Sequence, residues 1–242
     1  MSRENSDLVS EYFTNNVQDL TPSAVSDVMR LLYMPVSTDG EVTRLCASVL
    51  SDAERARADR FAFQGDRILF KQRRALRRFC GALALGSAQC LSQIVFDETV
   101  NGRPYLSASP GISFSFSACR FGYLAAWSAT QRVGVDLEDQ SRALPVADLA
   151  RRYFTASEAE VIEAVDSGAS PGAFFRLWCL KEAALKSIGQ GLPFGLDRFV
   201  FELEPELRVI HAPEEAGGRA QFDAHLIEVA GSCAALVSRN PA

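Results

Sequence analysis

The stretch VGVDLED, Val133 to Asp139, constrains the fold of this chain more than any other. Side chains on a β-strand alternate between its two faces. Val133, Val135 and Leu137 therefore share one face, and Asp136 and Glu138 share the other. The apolar face needs a covering layer. The acidic face sets two carboxylates about 6–7 Å apart at their Cα atoms. At an effective dielectric near 20 they repel by about 2.4 kcal/mol, and in water by about 0.6 kcal/mol. Either the strand is amphipathic with a wet acidic face, or the acids form part of a divalent-cation site whose charge removes the repulsion. The strand alone does not choose between the two.

The chain has 242 residues, 48% of them hydrophobic, enough for one large domain or two small ones. A net charge of −5 gives no general attraction to nucleic acid or to an anionic membrane. Cys46, Cys80, Cys90, Cys119, Cys179 and Cys233 are scattered without a CxxC pair, which fits a reducing compartment. The opening MSRENSDLVSEYF is polar and unlike a signal peptide, and no apolar run reaches the ~18–20 residues of a membrane helix. These features describe a cytoplasmic protein. His211 and His225 are the only histidines and neither lies near a cysteine pair, which argues against zinc. GxSxG, P-loop and GxGxxG motifs are absent. Catalysis, if there is any, falls to carboxylates, lysines and arginines.

Local patterns punctuate the chain. VMRLLYMPV (28–36) reads as a strand. From Ser51, with a capping box to Glu54, a long helical pattern runs to about residue 85, and Gly65 divides it into two helices. QIVFDETVNGRPYL has strand character with a turn at Asn101-Gly102. SFSFS (113–117) alternates, and YLAAWSA (123–129) reads as a buried strand. DQSRALPVAD (139–148) reads as a loop. Thr155 and Glu158 form a second capping box, opening a helix to about Val165 that SGASPG (167–172) breaks. AFFRLWCLKEAALKSI is a helix capped by Gly189, and the tail (FVFELE, LRVIHA, 222–237) reads as strands. The class expected is α+β, in two similar portions divided near 129–133.

The helix WCLKEAALK places Glu182 and Lys186 one turn apart on one face. As an exposed pair they contribute about 0.2–0.5 kcal/mol. The neighbours Phe174, Phe175, Leu177, Leu180 and Leu185 make burial the alternative, in which case the charges need partners. An acidic strand with a Mg²⁺ ion between would supply them.

Taken in order, Gly134-Val-Asp136-Leu-Glu138, Trp178-Cys-Leu-Lys181-Glu182-Ala-Ala-Leu-Lys186 and Gly189-Gln-Gly191-Leu192 resemble the signature of the 4′-phosphopantetheinyl transferases. The nearest type is the monomeric, two-lobed one that activates surfactin synthetase and other carrier proteins. RRYFTASE (151–158), ERARADRF (54–61) and NGRPYL (101–106) match further family segments, so the likeness covers about residues 50–200. It implies a pseudo-dimer of two α/β lobes, residues 1–130 with the basic residues that bind coenzyme A and 131–242 with the metal-binding carboxylates and the catalytic helix. It implies transfer of 4′-phosphopantetheine from coenzyme A to a serine of an apo acyl or peptidyl carrier protein, releasing 3′,5′-ADP. Such carriers serve fatty acid, polyketide and nonribosomal peptide synthesis. By the resemblance, Asp136, Glu138 and Glu182 hold Mg²⁺. Glu182 and Lys186 are catalytic, and Arg57, Arg103, Ser117, Asp136 and Lys186 bind coenzyme A. Lys181 belongs to the motif and reads as structural.

Other expectations attach to the same comparison. The arginine-rich stretch, Arg55 to Arg78, reads mainly as a solvated helix face. Its interspersed acids weaken a nucleic-acid reading. Arg74 and Arg78 stand where the family often carries arginines. Leu144, Val146 and Leu149 are candidate carrier contacts. One departure stands out: Ala118 occupies the place of a histidine that contacts a coenzyme A phosphate, and Arg120 is the nearest candidate to compensate. Losing such a donor costs about 1.5–3 kcal/mol. A coenzyme A- or carrier-binding homologue with weak or no turnover is therefore the alternative function.

Overall fold

The computed structural model describes residues 3–86, 90–166, 172–229 and 231–240. The first half holds α1 (Arg3–Asn16), β1 (Gln18–Asp19), β2 (Arg30–Pro35), α2 (Gly40–Ser48), α3 (Asp52–Asp59), α4 (Gln64–Leu85), β3 (Phe96–Glu98), β4 (Pro104–Leu106), β5 (Ser113–Ala118) and β6 (Gly122–Ser128). The second holds β7 (Arg132–Asp139), α5 (Val146–Tyr153), α6 (Ala156–Asp166), α7 (Gly172–Ile188), β8 (Val200–Glu202), β9 (Arg208–His211), β10 (Phe222–Val229) and β11 (Ser232–Arg239). Helices and strands are mixed, and every strand pairing among the described residues is antiparallel.

Two sheets organise the molecule, one ordered β1-β2-β6-β5 and the other β10-β11-β7. Leu31, Tyr33, Leu124 and Ala126 of the first pack with Val133, Val135, Leu137, Ala234 and Leu236 of the second in one shared core. Outside the first sheet, Leu32, Met34, Phe114, Tyr123 and Trp127 pack with α1, α2 and α4. Outside the second, Cys233, Ala235 and Val237 pack with α5, α6 and α7. The layers therefore run helix, sheet, sheet, helix, and β6 is buried along its whole length.

The alternation in SFSFS has a structural purpose. Its phenylalanines enter the first core. Its serines face the other way, and Ser113 and Ser115 Oγ accept the backbone N–H of Val133 and Val135 at 2.9 and 3.0 Å. Strand β7 lies at the edge of its sheet. Its outward N–H groups would be orphaned there, and the hydroxyls satisfy them. This seam fixes β7 against β5.

Both capping boxes are present, at Ser51–Glu54 and Thr155–Glu158. Gly102 (φ +78°) closes the β3–β4 turn and Gly189 (φ +72°) ends α7, conformations that suit glycine. The division at Gly65 is corrected: the break spans residues 60–63, and Gly65 sits in the first turn of α4. Arg67 Nε donates to Phe61 O at 2.8 Å and holds the corner. The loop 139–148 is shorter than expected, since α5 begins at Val146 directly after Pro145, with Asp148 in its first turn and arginines in its last. The break read at 167–172 lies outside the described residues except for Gly172, which opens α7.

Helix α7 approaches β7 closely at Gly134. A Cβ there would lie 1.9 Å from Ala183 O and 2.5 Å from Ser187 N. Both are backbone atoms and cannot swing aside. We expect Gly134→Ala to destabilise the fold by at least about 3 kcal/mol. Gly65→Ala, which meets nothing within 4 Å, should instead gain about 0.4–1 kcal/mol. Urea unfolding of the two variants checks both signs.

Candidate active site

The acidic face of β7 is not wet. It lies under α7, and Asp136 is 4% exposed. Asp136 Oδ1 receives Lys186 Nζ at 2.6 Å and Ser117 Oγ at 3.0 Å. Lys186 Nζ also lies 3.4 Å from Ser117 Oγ. Asp136 Oδ2 is buried without any partner. Such an oxygen is costly to leave unmatched. Glu138, two residues along the same face, is half-buried and receives Arg142 Nη1 at 3.1 Å. The apolar stripe of α7 is buried as expected, with Phe174, Phe175, Leu177, Leu180 and Leu185 in the core. This orientation turns the helix's polar seam, Glu182 and Lys186, towards Asp136.

The acids feel one another. Burial, with Asp136 beside it, raises Glu138 above the ordinary carboxylate range despite Arg142. Burial also raises Glu182 against the pull of Lys186, and Asp136 adds to the rise. Burial works against the Lys186 ammonium, but Asp136 and Glu182 more than offset it and its pKa rises. As the side chains stand, no three metal-ligating side chains among the described residues close round a common point. Lys186 and Arg142 neutralise the carboxylates instead. The donor set is all hard oxygen, and Asp136 Oδ2 is free to accept a cation. Both features suit Mg²⁺ in type.

Lys181 is structural, as expected. It is fully buried, and its ammonium donates to Glu158 Oε2 at 2.8 Å, Leu196 O at 3.1 Å and Phe199 O. All three of its protons are used, so a buried charge is tolerated. Arg103 does not join Arg57. Its guanidinium donates to Ser187 O at 3.3 Å and to Ser113 Oγ, and Asn101 Nδ2 donates to Gly189 O at 3.1 Å. The β3–β4 turn is thereby clamped to the end of α7. Burial, with Arg132 and Arg239 nearby, lowers Arg103 to about 10. Arg57 is exposed on α3, 5.5 Å from the Phe70 ring. Arg120 does not replace a side chain at 118: the strand ends at Ala118, and Arg120 Nε pairs with Asp139 Oδ2 at 2.7 Å. Val146 is buried, and Leu144 and Leu149 pack on the second-half core, so this trio offers less surface than expected.

Residues 132–236 match the model of the 4′-phosphopantetheinyl transferase superfamily. The 4′-phosphopantetheinyl transferase HetI of Nostoc sp. is 32% identical over 171 residues, 69% of this chain and 71% of the relative. The psf-1 transferase of Bacillus pumilus is 28% identical and the alignment covers 65% of each chain. Sfp of Bacillus subtilis is 29% identical over 119 residues, 49% of this chain and 51% of that one. The chain belongs to the 4′-phosphopantetheinyl transferase superfamily. It is an enzyme of the transferase class.

In this transferase the sequence pattern brought forward Asp136, Glu138, Glu182, Lys186 and Ser117, and the structure gathers them. It missed Ser113 and Ser115, whose role depends on a strand 20 residues away. It also missed Glu158 as the partner of Lys181; a capping glutamate facing a motif lysine carries no local signal.

Two opposite responses are expected here. Lys181→Met should cost about 3–5 kcal/mol in chemical unfolding by leaving Glu158 buried and unpaired. Glu182→Gln should raise the melting temperature of the metal-free protein at pH 8. The ionised form is the costly one in the folded state, so this gain should shrink as pH falls through the raised pKa and the parent protonates as well.

Proposed function

We propose that this protein transfers the 4′-phosphopantetheine group of coenzyme A to a serine hydroxyl of an apo acyl or peptidyl carrier protein, releasing 3′,5′-ADP. The observation that carries this reading is the unmatched Oδ2 of Asp136 beside Glu138, Glu182 and Lys186. Carboxylates that crowd and repel are an arrangement suited to a divalent cation. Asp136, Glu138 and Glu182 would hold Mg²⁺, which when bound neutralises charge on the pyrophosphate. The names of HetI, psf-1 and Sfp support the reaction class.

The chain's own residues then have distinct tasks. Lys186 lies at Asp136 and can turn its ammonium to a phosphate oxygen. Ser117 holds Oδ1 of Asp136 and fixes the carboxylate's rotation. Glu182, with a pKa raised by burial, is a better proton acceptor than an ordinary carboxylate and can take the serine proton as the nucleophile attacks. Arg57 binds a coenzyme A phosphate. Arg103 commits two donors to Ser113 and Ser187 and has others left for phosphate. The two sheets, each with its own helical layer, support a two-lobed pseudo-dimer with residues 1–130 and 131–242 as lobes. Activity as a monomer in the cytoplasm belongs to the same reading. Among the described residues no helix is long and apolar enough to cross a membrane.

A second reading, binding without turnover, draws on Ala118. Intact-mass spectrometry of apo carrier proteins incubated with this protein, coenzyme A and Mg²⁺ separates the two. We expect a mass gain of one phosphopantetheine that EDTA abolishes. Asp136→Ala and Glu182→Gln should each lose at least about 10²–10³-fold in rate while remaining folded. Calorimetry should show Mg²⁺ binding lost in Asp136→Ala. Undiminished transfer by either variant would sink the proposal. Coenzyme A binding with no mass gain on any carrier would favour the second reading.

A further inference from the structure

The two cations at the acidic cluster are held in different ways. Lys186 rises from α7, donates to Asp136 Oδ1 at 2.6 Å and lies 3.4 Å from Ser117 Oγ. Its side chain is 29% exposed. Arg142 belongs to no helix or strand and stands between β7 and α5. Its side chain is 53% exposed and reaches Glu138 Oε2 with one nitrogen, Nη1, at 3.1 Å. A guanidinium offers five donors, so a single contact by an exposed side chain is a weak hold.

The backbone under Arg142 is fixed. Ser141 N and Oγ donate to Asp139 Oδ1 at 2.9 and 2.5 Å, and Arg142 N donates to Asp139 O at 3.3 Å. Arg120 closes the turn from outside, with Nε at 2.7 Å from Asp139 Oδ2 and Nη2 donating to Ser141 Oγ at 2.6 Å. An aspartate that accepts from the backbone two residues on sets a turn by itself. Asp139 thus brings residue 142 back over the end of β7, four residues after it begins to leave the carboxylate of Glu138. A long side chain on such a turn can release Glu138 without any change in the backbone.

Charge decides which cation gives way. Asp136, Glu138 and Glu182 carry three negative charges when ionised, and Lys186 and Arg142 supply two positive ones. A divalent cation would bring the positive charges to four. A guanidinium in contact with a carboxylate that takes up such a cation is repelled, and Arg142 has solvent beside it to enter. Lys186 is anchored on a helix between Asp136 and Ser117 and stays. We propose that Arg142 is the resident counter-ion of Glu138, that Mg²⁺ displaces it into solvent, and that this competition lowers the affinity of the site for the metal. This rests on the metal site of the transfer reading and adds its competitor.

Two measurements on the full chain test this. In ¹⁵N NMR the Arg142 Nε–H signal is the one lost in Arg142→Gln. Mg²⁺ should shift it towards the position of a free arginine and leave the Arg120 signal in place. In calorimetric titration with Mg²⁺ alone, Arg142→Gln should bind about three- to fivefold more tightly than the parent. It should melt below the parent in EDTA and level with it in saturating Mg²⁺. Arg120→Gln removes the same charge from beside Asp139 instead of Glu138 and should change the affinity less. An Arg142 signal unmoved in saturating Mg²⁺, or an affinity that Arg142→Gln leaves unchanged or weakens, overturns the proposal. Equal tightening by both variants also overturns it, because net charge alone then accounts for the effect. A parent that binds no Mg²⁺ overturns this inference alone if it still transfers phosphopantetheine, and overturns the proposed function as well if it does not.

Discussion

A helix backbone rests on a glycine, and the site depends on that contact. With no Cβ at Gly134, Ala183 O and Ser187 N of α7 come within a distance that any other residue would forbid. Glu182 and Lys186 flank Ala183 along the helix, and Asp136 follows Gly134 by one pleat. The approach therefore sets how far the helical acid and base stand from the strand acid. A larger residue would push α7 outward and lengthen the 2.6 Å contact between Lys186 and Asp136. The glycine of GVDLE thus acts through spacing, while the acids act through charge.

The surroundings make this contact rigid from four sides. One face of β7 enters the core between the sheets. One edge pairs with β11 and the other donates its N–H groups to serine hydroxyls of β5. On the far side of α7, Lys181 ties the helix to Glu158, Leu196 and Phe199. Glu158 also caps α6, so one carboxylate fixes two helices. These features stabilise the fold. The three acids oppose it, since burial and mutual repulsion raise Glu138 and Glu182. A rigid frame allows such a cluster to persist, as strained functional sites require.

Periodicity and capping made much of this legible in the sequence. The alternation of VGVDLED and SFSFS, the two capping boxes, the Asn101-Gly102 turn and the Gly189 cap are local rules, and each appears where the pattern placed it. What stayed hidden was the choice of distant partner. Gly65 looked like a helix breaker but lies in open space in a first turn, where glycine is merely tolerated. Arg103 and Arg120 are alike in sequence terms. One clamps α7 and the other pairs with Asp139, and only the fold decides which. Helix α5 escaped because Pro145 resembles a loop residue although proline beside a first turn is also a start signal.

Strand β5 divides the chemistry of the molecule. Its odd residues reach the second sheet: Ser113 and Ser115 brace β7, and Ser117 touches Asp136. Its even residues face α4, where Phe116 lies under Arg77 and Ala118 adds only a methyl. One strand thus separates a region dominated by carboxylates from one dominated by guanidiniums.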